Sequence, residues 1–487
     1  MADLDILLVQ TLNVTGTFFN LPGKEIPLSL CSLGAYLKSR GYRCGIVDLD
    51  FAGRVSPVLE EAVREARPKV VGISAYTPNV GIAGEIATRV KEMDRKLQVV
   101  LGGFHASALP ERTLREFQDI DTVVVGEGEE TLKQLMSILL DGGKPDKVRG
   151  VAYREGEGVC VNEVRPLIKN LDSLPFPDRG LVPVTEYIPD PGNYFQLPSS
   201  GILYSRGCPF KCTFCSKAVF GNRIRYRSVE HFIAEVESCI DRYGIRDFRL
   251  EDEAPTVDVR RVIALCKEII QRRMRITWSC FSRVDTVDEE VLGLMKEAGC
   301  YHVTYGIESA NQGTLEKIGK RIDLGQAAAA VKLTKTLGIE CKANFILGFP
   351  WETAADMRSI VHFAKRISPD LVTFNLFKPL PGSALFNELE ASGGLHHTSW
   401  DDYFTTGESL LFDASFTEEE AGRILRWAVF SYYFRLKFVV QRLRRMVRHP
   451  RREAGTVGRG IRILAREMFG LFHKVDRPQG NAQTPST

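Results

Sequence analysis

The sequence predicts an α/β protein made of two parallel-sheet units in tandem, and three observations carry that prediction. Short apolar runs alternate with amphipathic segments over residues 1–140. A stretch rich in proline and aspartate, "LDSLPFPDRGLVPVTEYIPDPG", then breaks the alternation, and six further strand–helix units follow to about residue 380. Alternation at this spacing marks parallel sheets covered by helices. At 487 residues the chain also exceeds what one core serves, which agrees with several domains.

In the first unit, "DILLVQ" reads as a strand and "LSLCSLGAYLKSRG" as a helix closed by Gly41. "RCGIVDLD" and "VVGISAY" are the next strands, and "QVVLGG" and "TVVVGEGE" the fourth and fifth, each running into a helix. The expected fold is a doubly wound, Rossmann-like sheet, whose ligands bind beyond the carboxyl ends of the strands. Those ends carry Ser74, Ala75 and Tyr76, then Gly102 and Gly103, then Gly126, Glu127, Gly128 and Glu129. Residues 141–197 read as a hairpin, "GVAYREGEGVCVNEV", and a proline-rich linker. Residues 198–410 supply the strands "ILYSR", "DFRLEDE", "ITWSCFS", "HVTYGIES", "CKANFILGF" and "LVTFNLF". Six units make a partial (β/α)6 TIM-type barrel, whose chemistry belongs at the carboxyl ends of its strands. Residues 411–487 read as a basic helical region that begins with acids and ends with bases.

Several function classes are disfavoured by composition. A net charge of +3 does not suggest nucleic acid, the start lacks a signal-peptide pattern, and no apolar run is long enough to span a bilayer. The expectation is a cytoplasmic protein. Its eleven cysteines are then not a disulfide framework. Most sit singly in apolar patterns, but Cys208, Cys212 and Cys215 fall within "SRGCPFKCTFCSK", after the first barrel strand. Thiolates at this density bind soft metal. Structural zinc wants four ligands, and the nearest histidine, His231, lies in an expected helix. An iron–sulfur cube held by three cysteines leaves one iron open. Spacing alone allows either.

The spacing C-x3-C-x-φ-C, with Cys208, Cys212, Phe214 and Cys215, resembles the signature of radical S-adenosylmethionine (SAM) enzymes. The resemblance implies that the three cysteines hold a 4Fe–4S cluster and that SAM chelates the open iron. It implies that reduction cleaves SAM to a 5′-deoxyadenosyl radical, with an electron donor such as flavodoxin or ferredoxin. Phe214, Asp252, Glu253, Ser279, Arg283 and Glu308 match positions that contact SAM in the family. Asp252 and Glu253 would meet its amino group, Arg283 its carboxylate by a charge-assisted bond, and Glu308 its ribose. "FILGFPWET" resembles the adenine-contacting strand and turn.

The first unit is similar to the cobalamin-binding domain fused to one branch of these enzymes, through "PLSLCSLGAYLKSRGY", "GGFHASALPE" and "DTVVVGEGEETLKQL". The implied cobalamin contacts are Ser74, Tyr76, Thr77, Gly102, Gly103, Gly126, Glu127 and Gly128. The histidine motif that ligates cobalt in other cobalamin proteins is missing, so the lower cobalt face is expected near Tyr76 and Thr77. The resemblance implies a cobalamin-dependent methyltransferase acting on an unactivated carbon of a small or lipid-like molecule. Cyclisation or rearrangement with the same cofactors is the alternative, and a non-catalytic cobalamin carrier a third. The basic tail alternates Arg435, Lys437, Arg442, Arg444, Arg445, Arg448, Arg451 and Arg452 with apolar residues. Such a helix packs on a neighbour or makes peripheral contact with anionic membrane. It lacks the interleaved aromatics of a nucleic-acid platform.

Overall fold

The computed structural model describes residues 3–12, 23–51, 56–190, 192–396, 399–403 and 409–448. Arg451, Arg452, most of the segment after the first strand, and the side chains of Arg444 and Arg448 lie outside the described residues.

The front sheet takes β1 (Ile6–Gln10), β2 (Cys44–Asp48), β3 (Val70–Ser74), β4 (Gln98–Gly102) and β5 (Thr122–Val124), all parallel, with β2 on the edge and β1 beside β3. Between them run α1 (Leu28–Lys38), α2 (Ser56–Ala66), α3 (Val80–Met93), α4 (Phe104–Ala108) and α5 (Pro110–Glu116), with α6 (Gly128–Leu140) after β5. One face of this sheet is sealed by α1 and α6: Leu30, Leu37, Leu132, Leu135 and Met136 meet Ile6, Leu8, Val70 and Val100 in one cluster. The register aligns Gln10, Ser74 and Gly102 at the carboxyl ends, so the loops expected to bind ligand emerge side by side.

The hairpin β6 (Val151–Glu155) and β7 (Gly158–Val161) corrects the expected boundary at residue 140. Strand β6 pairs antiparallel with β5, so the hairpin completes a seven-stranded sheet with the front strands instead of standing outside their domain. Antiparallel edge strands on parallel sheets are common, but their partner cannot be read from local pattern.

The second sheet has six parallel strands in sequence order: β8 (Ser199–Ile202), then, beyond the two-residue strands β9 (Ser205–Arg206) and β10 (Arg225–Tyr226), β11 (Asp247–Leu250), β12 (Thr277–Ser282), β13 (Cys300–Glu308), β14 (Glu340–Leu347) and β15 (Leu371–Leu376). Helices α7 (Val229–Tyr243), α8 (Val259–Gln271), α9 (Glu289–Glu297), α10 (Gln312–Lys317), α11 (Leu324–Thr336), α12 (Ala354–Ile367) and α13 (Ala384–Ala391) connect and follow these strands. Their starts follow sequence logic: Ser228, Asp288, Asp323 and Thr353 each accept a bond from a backbone N–H of the first turn. Along β14 the pleat sorts the residues. Cys341, Ala343, Phe345 and Leu347 are buried, while Lys342, Asn344 and Ile346 alternate with them and stay partly open on the inner face.

The expected C-terminal region is not one piece. Helix α14 (Glu418–Tyr433) belongs with the barrel, where the Tyr432 hydroxyl donates to Pro369 O at 2.5 Å and that of Tyr433 to Val372 O at 2.5 Å. The compact unit ends at Phe434, and α15 (Leu436–Arg448) lies in a second unit. No helix among the described residues is long and apolar enough to cross a membrane.

Candidate active site

The cysteine loop, residues 207–224, hangs from the β9–β10 ribbon. Gly207 opens it at φ +87°, and a Cβ there would stand 2.5 Å from Arg223 O, so the loop closes on itself only with glycine. Thr213 fixes the middle: its N–H donates to Ile318 O at 2.9 Å and its carbonyl accepts from Leu385 N at 2.9 Å. Lys217 Nζ reaches Cys208 O at 2.9 Å. Cys208 and Cys212 are partly buried and Cys215 is open to the space above the loop. Burial pushes the Cys208 thiol up, and burial together with Glu253 pushes Cys215 to about 12. Among the described residues no three His, Cys, Asp or Glu side chains gather around one point as a single ion requires. A cube places each thiolate on a different iron and asks for no such convergence. The donor set, three thiols and no fourth side chain, fits it.

Of the two acids expected to meet SAM, one does and one does not face the loop. Glu253 acts electrostatically on both Cys208 and Cys215, and burial among protein groups raises its carboxyl to about 7. Asp252 is turned away, a correction to the expectation. Its carboxylate accepts the backbone N–H groups of Tyr204 and Ser205 and the Ser205 hydroxyl, latching the strand that leads into the loop.

Arg283 is corrected in the same way. It grips Asp285 with two bonds of 2.8 Å and lies 3.8 Å from the centre of the Phe210 ring, bracing the loop from below. Ser279 Oγ and Asn344 Oδ1, on β12 and β14, are buried polar atoms without a hydrogen-bond partner among the described residues. Such atoms are costly unless a ligand satisfies them, and a molecule as polar as SAM fits that need. Glu308 ends β13 at φ +74°, a conformation non-glycine residues avoid, and Lys320 holds its carboxylate at 2.9 Å. Phe214 meets Phe349 edge-on at 6.1 Å, which joins the cysteine loop to the "FILGFPWET" turn.

Within that turn Glu352, a residue the sequence pattern does not single out, braces the backbone. Its Oε2 accepts from Gly348 N at 3.0 Å and Phe349 N at 3.1 Å, and its Oε1 from Ser309 Oγ at 3.1 Å. A lone glutamate two residues past the proline of a Gly-x-Pro turn is the available signal. Lys320 was also missed and carried none.

On the front domain, Tyr76 is 52% exposed and stacks on Phe104 at 5.6 Å. Glu251 and Arg249 of the barrel and Glu25 of the front domain act on its hydroxyl, so the ring stands in the gap between the two sheets. Gly103, at φ +107°, would place a Cβ 2.3 Å from Ala75 O, and its bareness lets β3 and β4 end side by side beneath that ring. Ser74 and Gly102 sit level with it.

Thr77 is buried, with its hydroxyl 3.3 Å from Nδ1 of the buried His105, so it does not share the gap with Tyr76 as expected. Glu127 is a further correction. Its carboxylate is engaged by Arg206 at 3.0 Å, Arg225 at 2.8 Å and Ile168 N at 2.8 Å, not open to a corrinoid. Gly126 donates its N–H to Ser107 Oγ at 3.0 Å, and Gly128 lets α6 approach Leu33 of α1. Exposed Tyr76 and the bare strand ends fit a broad planar group.

Two family matches divide the chain as its folds do. Residues 15–136 match the B12 binding domain, and residues 202–364 match the radical SAM superfamily. The chain is 36% identical, over 384 residues, to an uncharacterized methyltransferase of Pyrococcus horikoshii, covering 79% of this chain and 82% of that one. It is 32% identical to the anaerobic magnesium-protoporphyrin IX monomethyl ester cyclase of Rubrivivax gelatinosus, over 76% of this chain and 67% of that one. In structure it resembles the radical SAM methyltransferase TsrM of Kitasatospora setae, solved with cobalamin and a 4Fe–4S cluster bound. That likeness has a TM-score of 0.66 and 22% identity, and it covers 82% of this chain and 76% of that one. It is a likeness of fold.

Proposed function

The chain belongs to the radical SAM enzymes that carry a B12-binding domain, and from that premise we propose that it is a methyltransferase acting on an unactivated carbon. One observation carries the reading. Phe220 of the cysteine loop meets Phe104 at 6.3 Å, and Phe104 stacks on Tyr76, so the thiols and the cobalamin-domain strand ends border one gap.

When bound, the cluster with SAM supplies a hydrogen-abstracting radical and cobalamin supplies a transferable methyl group. The chain's own residues would do the rest. Cys208, Cys212 and Cys215 would hold the cluster. Glu253, the acid that faces the thiols, would meet the SAM amino group, and Ser279 and Asn344 would satisfy its polar atoms. Glu308, tied to Lys320, would meet the ribose, and the Glu352-braced turn with Phe349 would bound the adenine. Tyr76 would lie under the corrin, and Phe104 and Phe220 beside it would keep water from the gap. Lys342 and Asn344 line the inner wall beneath, where a small substrate would enter. A flavodoxin or ferredoxin would supply the electron.

A second reading, ring closure on the same cofactors, is favoured by the cyclase likeness. Full-length protein, purified anaerobically and reconstituted with iron, sulfide and hydroxocobalamin, separates the two without knowledge of the substrate. Under a strong reductant it should release 5′-deoxyadenosine from SAM and carry label from methyl-labelled SAM onto its bound corrinoid. Deoxyadenosine without label transfer would support ring closure over methylation. Cys212→Ala should abolish both outputs and lower the iron content. Iron that survives the loss of all three thiols would overturn the reading.

A further inference from the structure

The two strand-end acids of the front domain reach the cysteine loop, and this has consequences for how two cofactors are kept in register. Arg206 and Arg225 are direct partners across the two-residue ribbon that closes the loop, and both are largely buried. Like charges placed opposite each other on a ribbon repel, and burial sharpens the cost. No carboxylate within the loop answers them. The answer comes from the amino end of α6, where Glu127 bridges Arg206 at 3.0 Å and Arg225 at 2.8 Å, and Glu129 binds Arg206 at 2.6 Å. Two cations and two anions then balance. Although burial opposes it, Arg206 holds the Glu129 carboxyl below its usual range, so the acid stays charged.

The remaining donors tie the same ribbon to the loop. Arg225 donates to Ile168 O at 2.7 Å and to Phe220 O at 3.2 Å, and the Arg206 guanidinium lies 5.3 Å from the centre of the Phe220 ring. Phe220 in turn meets Phe104, the ring on which Tyr76 stacks. A continuous chain therefore runs from the acids that begin α6, through the ribbon arginines and Phe220, to the ring proposed to lie under the corrin.

We infer that Glu127 and Glu129 are positioning residues that set the cluster loop against the cobalamin domain, and that neither is a cobalamin contact. The inference rests on the proposed use of both cofactors, and it deepens that reading by naming what holds the two groups in register. The acids act through Arg206 and Arg225, touching no reacting atom.

The test uses full-length holoenzyme bearing Glu127→Gln, Glu129→Gln or Arg225→Met, with two readouts beyond turnover. One is titration of the reconstituted protein with hydroxocobalamin, followed by absorbance. The other is the electron paramagnetic resonance line of bound cob(II)alamin, which the reduced cluster broadens according to their separation. Glu127→Gln should bind hydroxocobalamin within about twofold of wild type, yet change the broadening. It should also raise the ratio of deoxyadenosine released to label transferred by about tenfold, the scale that small misplacements near reacting groups produce. Arg225→Met should move the same readouts, because it breaks the same chain.

A loss of hydroxocobalamin affinity with unchanged broadening would overturn the inference and make Glu127 a ligand contact. A proportional fall of every output, with lower melting temperature and unchanged broadening, would also overturn it, leaving a purely structural ion pair. Should Glu127→Gln not fold, Glu129→Gln removes a single bond to Arg206 and carries the same comparison. The resonance readout needs only the two cofactors, so a wild type that transfers no label would count against methyl transfer and leave this test intact.

Discussion

Asp252 shows how one side chain can look like a ligand in sequence and act as a latch in the fold. It stands in a run of three acids at a barrel strand end, and sequence offers no means of telling which way each one points. Past the end of β11 the chain leaves the sheet, with Glu253 turned toward the thiols and Asp252 into the protein, onto the N–H groups of Tyr204 and Ser205. Burial holds the Asp252 carboxyl at about 6, above the ~3.9 of an unfolded chain. Between about pH 4 and 6 the fold thus keeps a proton that the unfolded chain has released, so this group's contribution to stability falls as pH rises through that window. Asp252→Asn should flatten that part of the pH profile relative to wild type, while costing about 1–3 kcal/mol through the acceptor it lacks. Urea midpoints of both proteins at a series of pH values check it. Parallel profiles would place the charge elsewhere.

At the scale of elements, period-two and helical patterns made the strands legible, since each carries its own apolar signal. Five of the six barrel strands and the five parallel front strands lie where alternation put them, whereas the first barrel strand, expected over "ILYSR", is Ser199–Ile202, and Ser205 and Arg206 form the separate ribbon with Arg225 and Tyr226. What was illegible was pairing over distance. The hairpin β6–β7 reads as a hairpin, but nothing in it announces β5 as its neighbour. Likewise Arg206 and Glu129 meet across 77 residues of sequence, so a glycine–glutamate motif that suggested ligand binding turned out to hold ion pairs. Helix α15 has the opposite character, because its sequence property is local. Leu436, Val439, Val440, Leu443 and Val447 recur at helical spacing and are all exposed, and the helix contains no acid. Such a face suits an anionic bilayer surface. In flotation, the full chain should bind phosphatidylglycerol-containing vesicles and not neutral ones, with binding reduced about tenfold or more by salt or by Leu443→Glu. Equal binding to neutral vesicles, or none to either kind, would leave the stripe without a lipid role.

For the whole molecule, the active gap depends on three pieces of chain far apart in sequence meeting at one point, and Gly382 is that point. It lies in "KPLPGSALF" after the last barrel strand, at φ +82°. A Cβ there would fall 2.8 Å from Ser216 Oγ of the cysteine loop, 3.1 Å from Ala108 of the front domain's α4, and 3.5 Å from Ala218. The first separation is tighter than a methyl group tolerates, the second requires Ala108 to give by a few tenths of an ångström, and the backbone conformation is one that alanine resists. Neither Ala108 nor the loop backbone can yield without moving what it carries: α4 begins with Phe104 directly after Gly103, and Ser216 adjoins Cys215. Gly382→Ala should therefore cost about 1–3 kcal/mol in strain, visible as a lower melting temperature. It should also shift the cluster loop away from the front domain, and a displacement near 1 Å is enough to cost about a hundredfold in turnover. Iron content should remain near wild type, because the three thiols are untouched, while label transfer onto the corrinoid falls further than deoxyadenosine release. If melting, iron and both products all match wild type, the junction is looser than the contacts at Gly382 imply, and the two cofactor sites would have to be held together by the buried arginine–glutamate network alone.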